Sequence, residues 1–203
     1  MSSSITSGDL QGAGSRQQNN RALPVPGEMG MWFFVIGDLL IFAVYFVAYA
    51  FYRQDNLPEF LQSQQHLNQD IAVLNTLVLL TSSLLVALSI EAARQHQRRK
   101  SIRLMSVALV CGGLFPLLKI VEWIPKLLAG HTAGESLFFT FYYLLTGLHL
   151  LHVLVGLCLL GFMLANLRRA GEPNVPFLET GGIYWHMVDV LWLVLLAVFY
   201  LMR

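Results

Sequence analysis

The sequence predicts an all-α, polytopic membrane protein whose five transmembrane helices form one bundle. Of its 203 residues, 56% are hydrophobic and only 12% are charged, whereas a soluble domain has about 25% charged residues. Five long apolar segments are separated by polar connections, and none shows the alternating pattern of a membrane β-strand. Because only helices and closed barrels satisfy the backbone within lipid, these segments are predicted to be helices.

The predicted organisation is a tail followed by a single membrane domain. Residues 1–26 are rich in Ser, Gly, Gln and Asn and show no apolar signal-peptide core, so a flexible cytoplasmic tail is expected. Residues 27–203 make up the membrane domain, with helices expected at about 29–52, 71–92, 103–123, 137–167 and 182–201. The third helix is expected to be broken at Gly112, Gly113 and Pro116.

The charges of the connections predict how the chain lies in the membrane. Basic residues concentrate on one side, which holds Arg16, Arg21, Arg94, Arg98, Arg99, Lys100, Arg103, Arg168 and Arg169. The other side holds only Arg53, Lys126 and Arg203. The positive-inside rule therefore predicts a cytoplasmic N-terminus and a periplasmic C-terminus. Contact with anionic lipid headgroups is also expected for Arg94, Arg98, Arg99, Lys100 and Arg103.

The last apolar segment carries a histidine and a carboxylate on one helical face. His186 and Asp189 are three residues apart within the run Tyr-Trp-His-Met-Val-Asp-Val-Leu-Trp at residues 184–192. Such groups are costly at membrane depth unless they face protein, water or each other. Together with His149 and His152 they could supply four ligands to a metal ion. A hydrogen-bonded contact between helices is the alternative, and it is the commoner use of an isolated His-x-x-His pair.

Other ionisable residues within the apolar segments also allow two interpretations. Asp38 is either a proton-exchanging carboxyl or a neutral group that is hydrogen-bonded to a neighbouring helix. Lys119 and Glu122 are i, i+3 partners near the outer end of the third segment, where Lys119 is expected to extend to the membrane interface. Glu91 ends the second segment beside the basic loop.

Small polar residues predict close helix contacts. Asn75, Ser82 and Ser89 are seven residues apart in the second segment, which predicts a seam of interhelical hydrogen bonds. Cys111 and Cys158 both fall inside apolar segments, so no disulfide framework is expected.

Four motifs resemble subunit III of the haem-copper oxidases. They are Gly-Met-Trp-Phe at 30–33 leading to Asp38, Lys-Ile-Val-Glu-Trp at 119–123, Thr-Gly-Leu-His-Leu-Leu-His-Val at 146–153 with Gly156, and the run at 184–192. Together they cover residues 27–203, and the last two agree with the family in order, spacing and helix placement. The chain is similar to the five-helix form of the family, which lacks the first two helices of the seven-helix mitochondrial form.

Two departures from the longer family members favour one branch of the five-helix form. Asp38 stands where the longer subunits carry a buried Glu, and Lys119 stands where many of them carry a Gln. With Pro-Gly-Glu at residues 26–28, these departures resemble the NorE-type accessory protein of bacterial nitric oxide reductases more than the subunit of the quinol oxidases.

The resemblance implies a non-catalytic accessory subunit in the inner membrane of a bacterium. Such a subunit binds no haem or copper itself, packs against the catalytic subunit I, holds phospholipid and supports proton uptake. The residues agree independently, since a haem-copper centre needs more buried histidines than His149, His152 and His186, and the sequence has no Cys-x-x-Cys-His motif. No segment has the basic density of a nucleic-acid binder.

The predicted site is one buried, hydrogen-bonded core that joins the first, fourth and fifth helices and includes a possible proton-exchanging group. It consists of Asp38, His149, His152, His186 and Asp189. Secondary candidates are Glu91, Lys119, Glu122 and Trp185. A membrane metalloenzyme with a His/Asp site and a small independent proton carrier remain as alternatives, although the chain shows no internal repeat typical of a carrier.

Overall fold

The computed structural model describes residues 29–202, apart from His66, His131, Ala133 and Glu135. Within this part the helices are α1 (Met29–Asp55), α2 (Leu57–Gln64), α3 (Gln69–Arg94), α4 (Arg98–Leu128), α5 (Leu137–Arg168) and α6 (Val175–Leu196), followed by a π-helical turn (Ala197–Leu201). Five helices of the described part are long and apolar enough to cross a membrane. The predicted all-α, five-span fold is confirmed, and the predicted tail at residues 1–26 lies outside the described residues.

The helix α2 lies between the first two spans and was not predicted from the sequence. It has eight residues, too few for a hydropathy pattern to reveal. Phe60 is fully buried and packs edge-on against Phe138 of α5 and near Tyr49 of α1. The aromatic contacts, rather than local propensity, therefore hold α2 against the end of the bundle.

The prediction that the third span is broken is wrong. The helix α4 runs without interruption through Pro116 and Pro125, and it extends five residues on either side of the predicted range. Membrane helices tolerate proline because neighbouring groups satisfy the freed backbone. Gly112 serves a different purpose, since a Cβ atom at this position would lie 2.7 Å from Cζ2 of Trp185. The glycine allows close helix packing and does not interrupt the helix.

The fifth span begins earlier than predicted. The Asn174 side chain accepts a hydrogen bond from the Phe177 amide at 3.2 Å and caps the helix, and Pro176 lies in the first turn. Gly182, the predicted start of the span, and the preceding Gly181 lie inside α6. A Cβ atom at Gly182 would lie 2.6 Å from Ile90, so this glycine brings α6 close to α3.

Polar contacts between α3 and α4 hold the tightest pair of helices together. Ser82 donates to the Ala108 carbonyl at 2.8 Å, and Ser89 donates to the Ser101 carbonyl at 2.9 Å. The predicted seam of interhelical hydrogen bonds is confirmed for these serines. Asn75 continues the seam but its amide is buried without a hydrogen-bond partner among the described residues.

The helix α1 packs on the outside of the other spans. Its buried side chains lie on one narrow stripe, which includes Val35, Phe42 and Tyr49. The rest of its surface is apolar and exposed, with Phe33 at 76% and Leu40 at 62%. The first span is therefore attached to the bundle by a few contacts, and each polar contact contributes substantially to holding it in place.

The two ends of the bundle differ in charge. We call one the basic end, because the α3–α4 and α5–α6 connections and the adjoining ends of these helices meet there and carry Arg94, Arg98, Arg99, Lys100, Arg103, Arg168 and Arg169. The other is called the opposite end, where α2 and the π-helical turn lie. There the carbonyls of Phe199 and Met202 both accept hydrogen bonds from the Gln64 side chain at 2.9 Å.

Replacing Gly156 with Ala should destabilise the bundle, because Trp185 fills the slot that this glycine leaves between α5 and α6. The added Cβ atom would lie 2.7 Å from Cε3 of Trp185, and overpacking of this kind costs about 1–3 kcal/mol. The matched control is Gly161→Ala on the same helix, where nothing lies within 4 Å of the added atom. Thermal unfolding in detergent should show a lower Tm for the first variant only, and equal Tm values would contradict the packing argument.

Candidate functional site

Asp38 and His152 connect α1 to α5. The Asp38 Oδ1 atom lies 3.2 Å from Nε2 of His152, and both side chains are largely buried. Nδ1 of His152 lies 2.7 Å from the Leu148 carbonyl, which can only accept, so Nδ1 carries a hydrogen. The Nε2–Oδ1 contact then holds one proton, on the carboxyl or on the ring. The pair is electrically neutral in both forms.

His186 and Asp189 lie at the α3–α6 contact instead. Nδ1 of His186 and the Ser83 hydroxyl are 2.6 Å apart. Asp189 is 7% exposed, and its Oδ1 atom has no hydrogen-bond partner among the described residues. A cavity of about 200 Å³ leads to His186 from the basic end and is lined there by Glu91, Arg94 and Glu179.

His149 lies between two aromatic rings and makes no polar contact with the other predicted site residues. Its ring stands edge-on to Phe115 at 5.5 Å and stacks on Trp192 at 5.4 Å, and both ring nitrogens lack a described partner. Of the five predicted residues, Asp38 and His152 contact each other, whereas His149 and the His186–Asp189 pair lie elsewhere, so the single connected core that was expected does not form. Within the described part of the chain, no three His, Cys, Asp or Glu side chains are placed to hold a metal ion.

The largest buried polar group lies near the opposite end, and we call it the lysine cluster: Lys119, Glu122, Lys126, Tyr142 and Tyr200. Nζ of Lys119 lies 2.8 Å from Oε2 of Glu122, and Nζ of Lys126 lies 2.6 Å from Oε1 of the same carboxylate. Exposure is 0% for Lys119, 3% for Glu122 and 6% for Lys126. The predicted pairing of Lys119 with Glu122 is confirmed, but the prediction that Lys119 extends to the membrane interface is wrong.

The two tyrosine hydroxyls complete the lysine cluster. Tyr142 and Tyr200 donate to Oε1 of Glu122 at 3.0 and 2.6 Å, and both hydroxyls accept hydrogen bonds from Lys119. Sequence reasoning missed both tyrosines and assigned Lys126 to a loop, because the predicted helix ended at residue 123. The signal that could have found Lys126 is its i, i+4 spacing from Glu122.

Two of the arginines at the basic end are engaged within the protein. Arg94 forms two hydrogen bonds to the Glu179 carboxylate of α6, at 3.0 and 2.8 Å. Arg98 donates to the carbonyls of Leu167, Arg169 and Gly171, and so caps the end of α5. These contacts join the end of α3 to α6 and the start of α4 to the end of α5, a function beyond the predicted headgroup contact.

An apolar groove follows α5 along its outer side at the basic end. A cavity of about 450 Å³ lies between α1, α5 and α6 and is lined by Phe34, Tyr184 and Phe162, among others. A second cavity of about 380 Å³ shares Leu159 and Phe162 with the first and ends at polar side chains, among them Arg169. One continuous surface therefore joins an apolar pocket to a cationic rim.

Comparison with known proteins gives a match over almost the whole chain. Residues 14–203 match the family described as cytochrome c oxidase subunit III. Cytochrome c oxidase subunit 3 of Alkalihalophilus pseudofirmus is 30% identical over 178 residues, which cover 86% of this chain and 85% of the relative. Cytochrome bo(3) ubiquinol oxidase subunit 3 of Buchnera aphidicola is 25% identical over 174 residues, 85% of this chain and 84% of the relative. Heme-copper oxidase subunit I+III of Aeropyrum pernix is 27% identical over 179 residues, 84% of this chain and 22% of the relative.

Replacing Asp38 with Leu should loosen α1, whereas Asp38→Asn should preserve its packing. The asparagine amide can donate to Nε2 of His152, but leucine leaves that nitrogen without a partner, at a cost of about 1–3 kcal/mol. Thermal unfolding and hydrogen exchange of α1 would measure the difference. If the two variants unfold alike, the hydrogen bond to His152 does not hold α1.

Proposed function

Because the chain belongs to the cytochrome c oxidase subunit III family, we propose that it is the non-catalytic accessory subunit of a bacterial respiratory haem-copper enzyme. The family match over residues 14–203 is the observation that carries this proposal. Its partner is the catalytic subunit I, and the Aeropyrum pernix relative supports this pairing because its name joins subunits I and III in one chain. The haem and copper or iron centres belong to the partner subunit.

The environment of the buried histidines supports an accessory role. His149 lies between aromatic rings, and His152 is engaged by Asp38 and by the Leu148 carbonyl. A redox-metal site needs histidine nitrogens that converge on one point. The described histidines point to separate partners, which does not favour the alternative of a His/Asp metalloenzyme.

The proposed orientation places the basic end in the cytoplasm of a bacterial inner membrane, following the positive-inside rule. The Asp38–His152 pair then lies nearer the cytoplasmic side, because Asp38 is in the third turn of α1. A neutral pair that can move one proton is suited to support proton uptake by the complex. Asp38 belongs to α1, which has the smallest buried share of the five described spans.

The partner enzyme is either a terminal oxidase or a nitric oxide reductase. Asp38 and Lys119 depart from the longer oxidase subunits and favour the NorE-type branch, with a role in denitrification. The curated relatives above are named as oxidase subunits. The two partners differ in their redox centres, so the purified complex can distinguish them.

Affinity purification of the full chain from its native membranes should recover a large haem-containing subunit. The haem spectrum and the mass of that subunit identify it, and oxygen and nitric oxide consumption assign its reaction. Stoichiometric iron or copper should follow the partner and should be absent from the chain after the partner is removed. Recovery of the chain alone with a bound metal would overturn the accessory role and favour the metalloenzyme.

Phospholipid is the proposed occupant of the groove along α5. Its cavities accommodate acyl chains, while Arg169 and the neighbouring Asn166 and Asn174 offer a cation and amide donors at the level of a headgroup. Arg99, Lys100 and Arg103 are exposed at the same end and add a broader attraction for anionic lipid. Arg94 and Arg98 contribute less, since their guanidinium groups are engaged within the protein.

Replacing Arg169 with Gln should reduce the retention of anionic phospholipid by the purified chain. Native mass spectrometry after purification in mild detergent would count the bound lipids, and about one fewer anionic lipid per chain is expected because the headgroup loses its cation. The matched control is Arg168→Gln, an adjacent exposed arginine that does not line the groove. Equal lipid retention by both variants would contradict the assignment of Arg169 to the headgroup.

A further inference from the structure

A series of polar side chains enters the bundle from the basic end. The cavity of about 200 Å³ at that end is large enough for several water molecules. Glu91, Arg94 and Glu179 line its mouth and His186 lines its inner end. His186 then contacts the Ser83 hydroxyl at 2.6 Å. A cavity large enough for water and a titratable ring therefore connect the surface to the interior.

The series continues towards the opposite end along α6. Asp189 lies one turn beyond His186, and Trp192 lies one turn further, where its indole N–H donates to the Thr76 hydroxyl at 2.9 Å. The ring of His149 stacks on Trp192. Asp189 and His149 each retain a buried atom without a described partner, so each can accept a proton. We call these side chains the polar path: His186, Ser83, Asp189, Trp192, Thr76 and His149.

The polar path ends at the lysine cluster. Nζ of Lys119 lies 5.0 Å from the centre of the Trp192 ring. Charged and titratable groups face this nitrogen from three elements: Glu122 and Lys126 of α4, Tyr142 of α5 and Tyr200 of the π-helical turn.

The surroundings of Lys119 favour its ammonium form. Nζ of Lys119 lies within hydrogen-bond distance of the Glu122 carboxylate and of the Tyr142 and Tyr200 hydroxyls, which are themselves 3.2 Å apart. The three hydrogens of an ammonium group match these three neighbours. With Lys126 also charged, two cations share one carboxylate and the cluster carries a net charge of +1.

We propose that the lysine cluster is an electrostatic barrier that prevents protons from crossing the bundle along the polar path. A fixed positive charge in a low-dielectric interior repels any other cation that approaches it. With an effective dielectric constant of about 20, one unit charge at about 8 Å slows the crossing of a proton by about thirtyfold. Titratable groups can thus lie in the bundle without allowing protons to leak across the membrane.

This function goes beyond that of an accessory subunit and does not depend on the identity of the partner. The barrier accounts for Lys119, the second lysine of the cluster. A structural ion pair would be complete with Lys126 and Glu122 alone, which together are neutral. The barrier also explains why the cluster lies at the end of the polar path and closes the route to the opposite end.

The test compares two amide substitutions that disturb the same hydrogen bonds but change the net charge in opposite directions. Lys119→Gln lowers the charge of the cluster to zero, and Glu122→Gln raises it to +2. The full chain is reconstituted in liposomes that enclose a pH-sensitive dye, and valinomycin with a potassium gradient drives proton entry. Lys119→Gln should increase the proton flux by about tenfold or more, whereas Glu122→Gln should remain as tight as the native chain.

Any other result would contradict the proposed barrier. An unchanged flux in Lys119→Gln would show that the charge does not limit crossing, and equal leaks in both variants would assign the effect to disruption of the network. Helical circular dichroism and thermal unfolding would identify a variant that fails to fold. In that case Lys126→Gln, at the rim of the cluster, lowers the charge equally, and a flux equal to that of the native chain would reject the proposal.

Discussion

The pairing of buried polar groups between helices is the constraint on which the rest of this structure depends. Hydrocarbon supplies no hydrogen-bond partners, so a polar side chain within a span is stabilised where a neighbouring helix or a cavity supplies one. Ser82 and Ser89 meet α4, His186 meets α3, and Asp38 meets α5. These contacts give every span at least one specific position in a bundle whose apolar surfaces have no preference among neighbours.

Close packing makes these polar contacts possible. Trp185 lies against Gly112 on one side and Gly156 on the other, which brings α4, α5 and α6 within reach of one another. The same convergence places Tyr142 and Tyr200 around the Glu122 carboxylate. Small residues on the helix faces thus set the distances at which the larger polar groups bind.

The cations at the two ends of the bundle have different surroundings. At the basic end, Arg94 and Arg98 join helix ends and the remaining cations face the surface, next to a groove and a polar cavity. Near the opposite end, Lys119 and Lys126 are buried and hydrogen-bonded to Glu122. The proposed lipid groove and the polar cavity at one end, with the proposed charge barrier at the other, fit a protein embedded in an energised membrane.

Composition and local pattern alone determined the fold class, the number of spans and the family. Long apolar segments must be helices in lipid, and the spacing of His149, His152, His186 and Asp189 places them on defined helical faces. The neighbours of each face were decided only by the tertiary structure. His152 contacts Asp38 while His149, three residues away, packs between Phe115 and Trp192. Helical periodicity gives a direction around one axis but does not identify which helix lies in that direction.

The same limit explains why the end of α4 was predicted wrongly and why the lysine cluster was not predicted from the sequence. Hydropathy ended the helix near Trp123 because Pro125 and Lys126 follow, and it placed Lys126 in a loop. In the folded chain, Glu122 and two tyrosines from distant segments compensate the buried charge and extend the helix to Leu128. A charged residue is hydrophilic in any sequence. Whether it faces water or the interior depends on the partners that the other helices bring to it, and only the tertiary structure contains those partners.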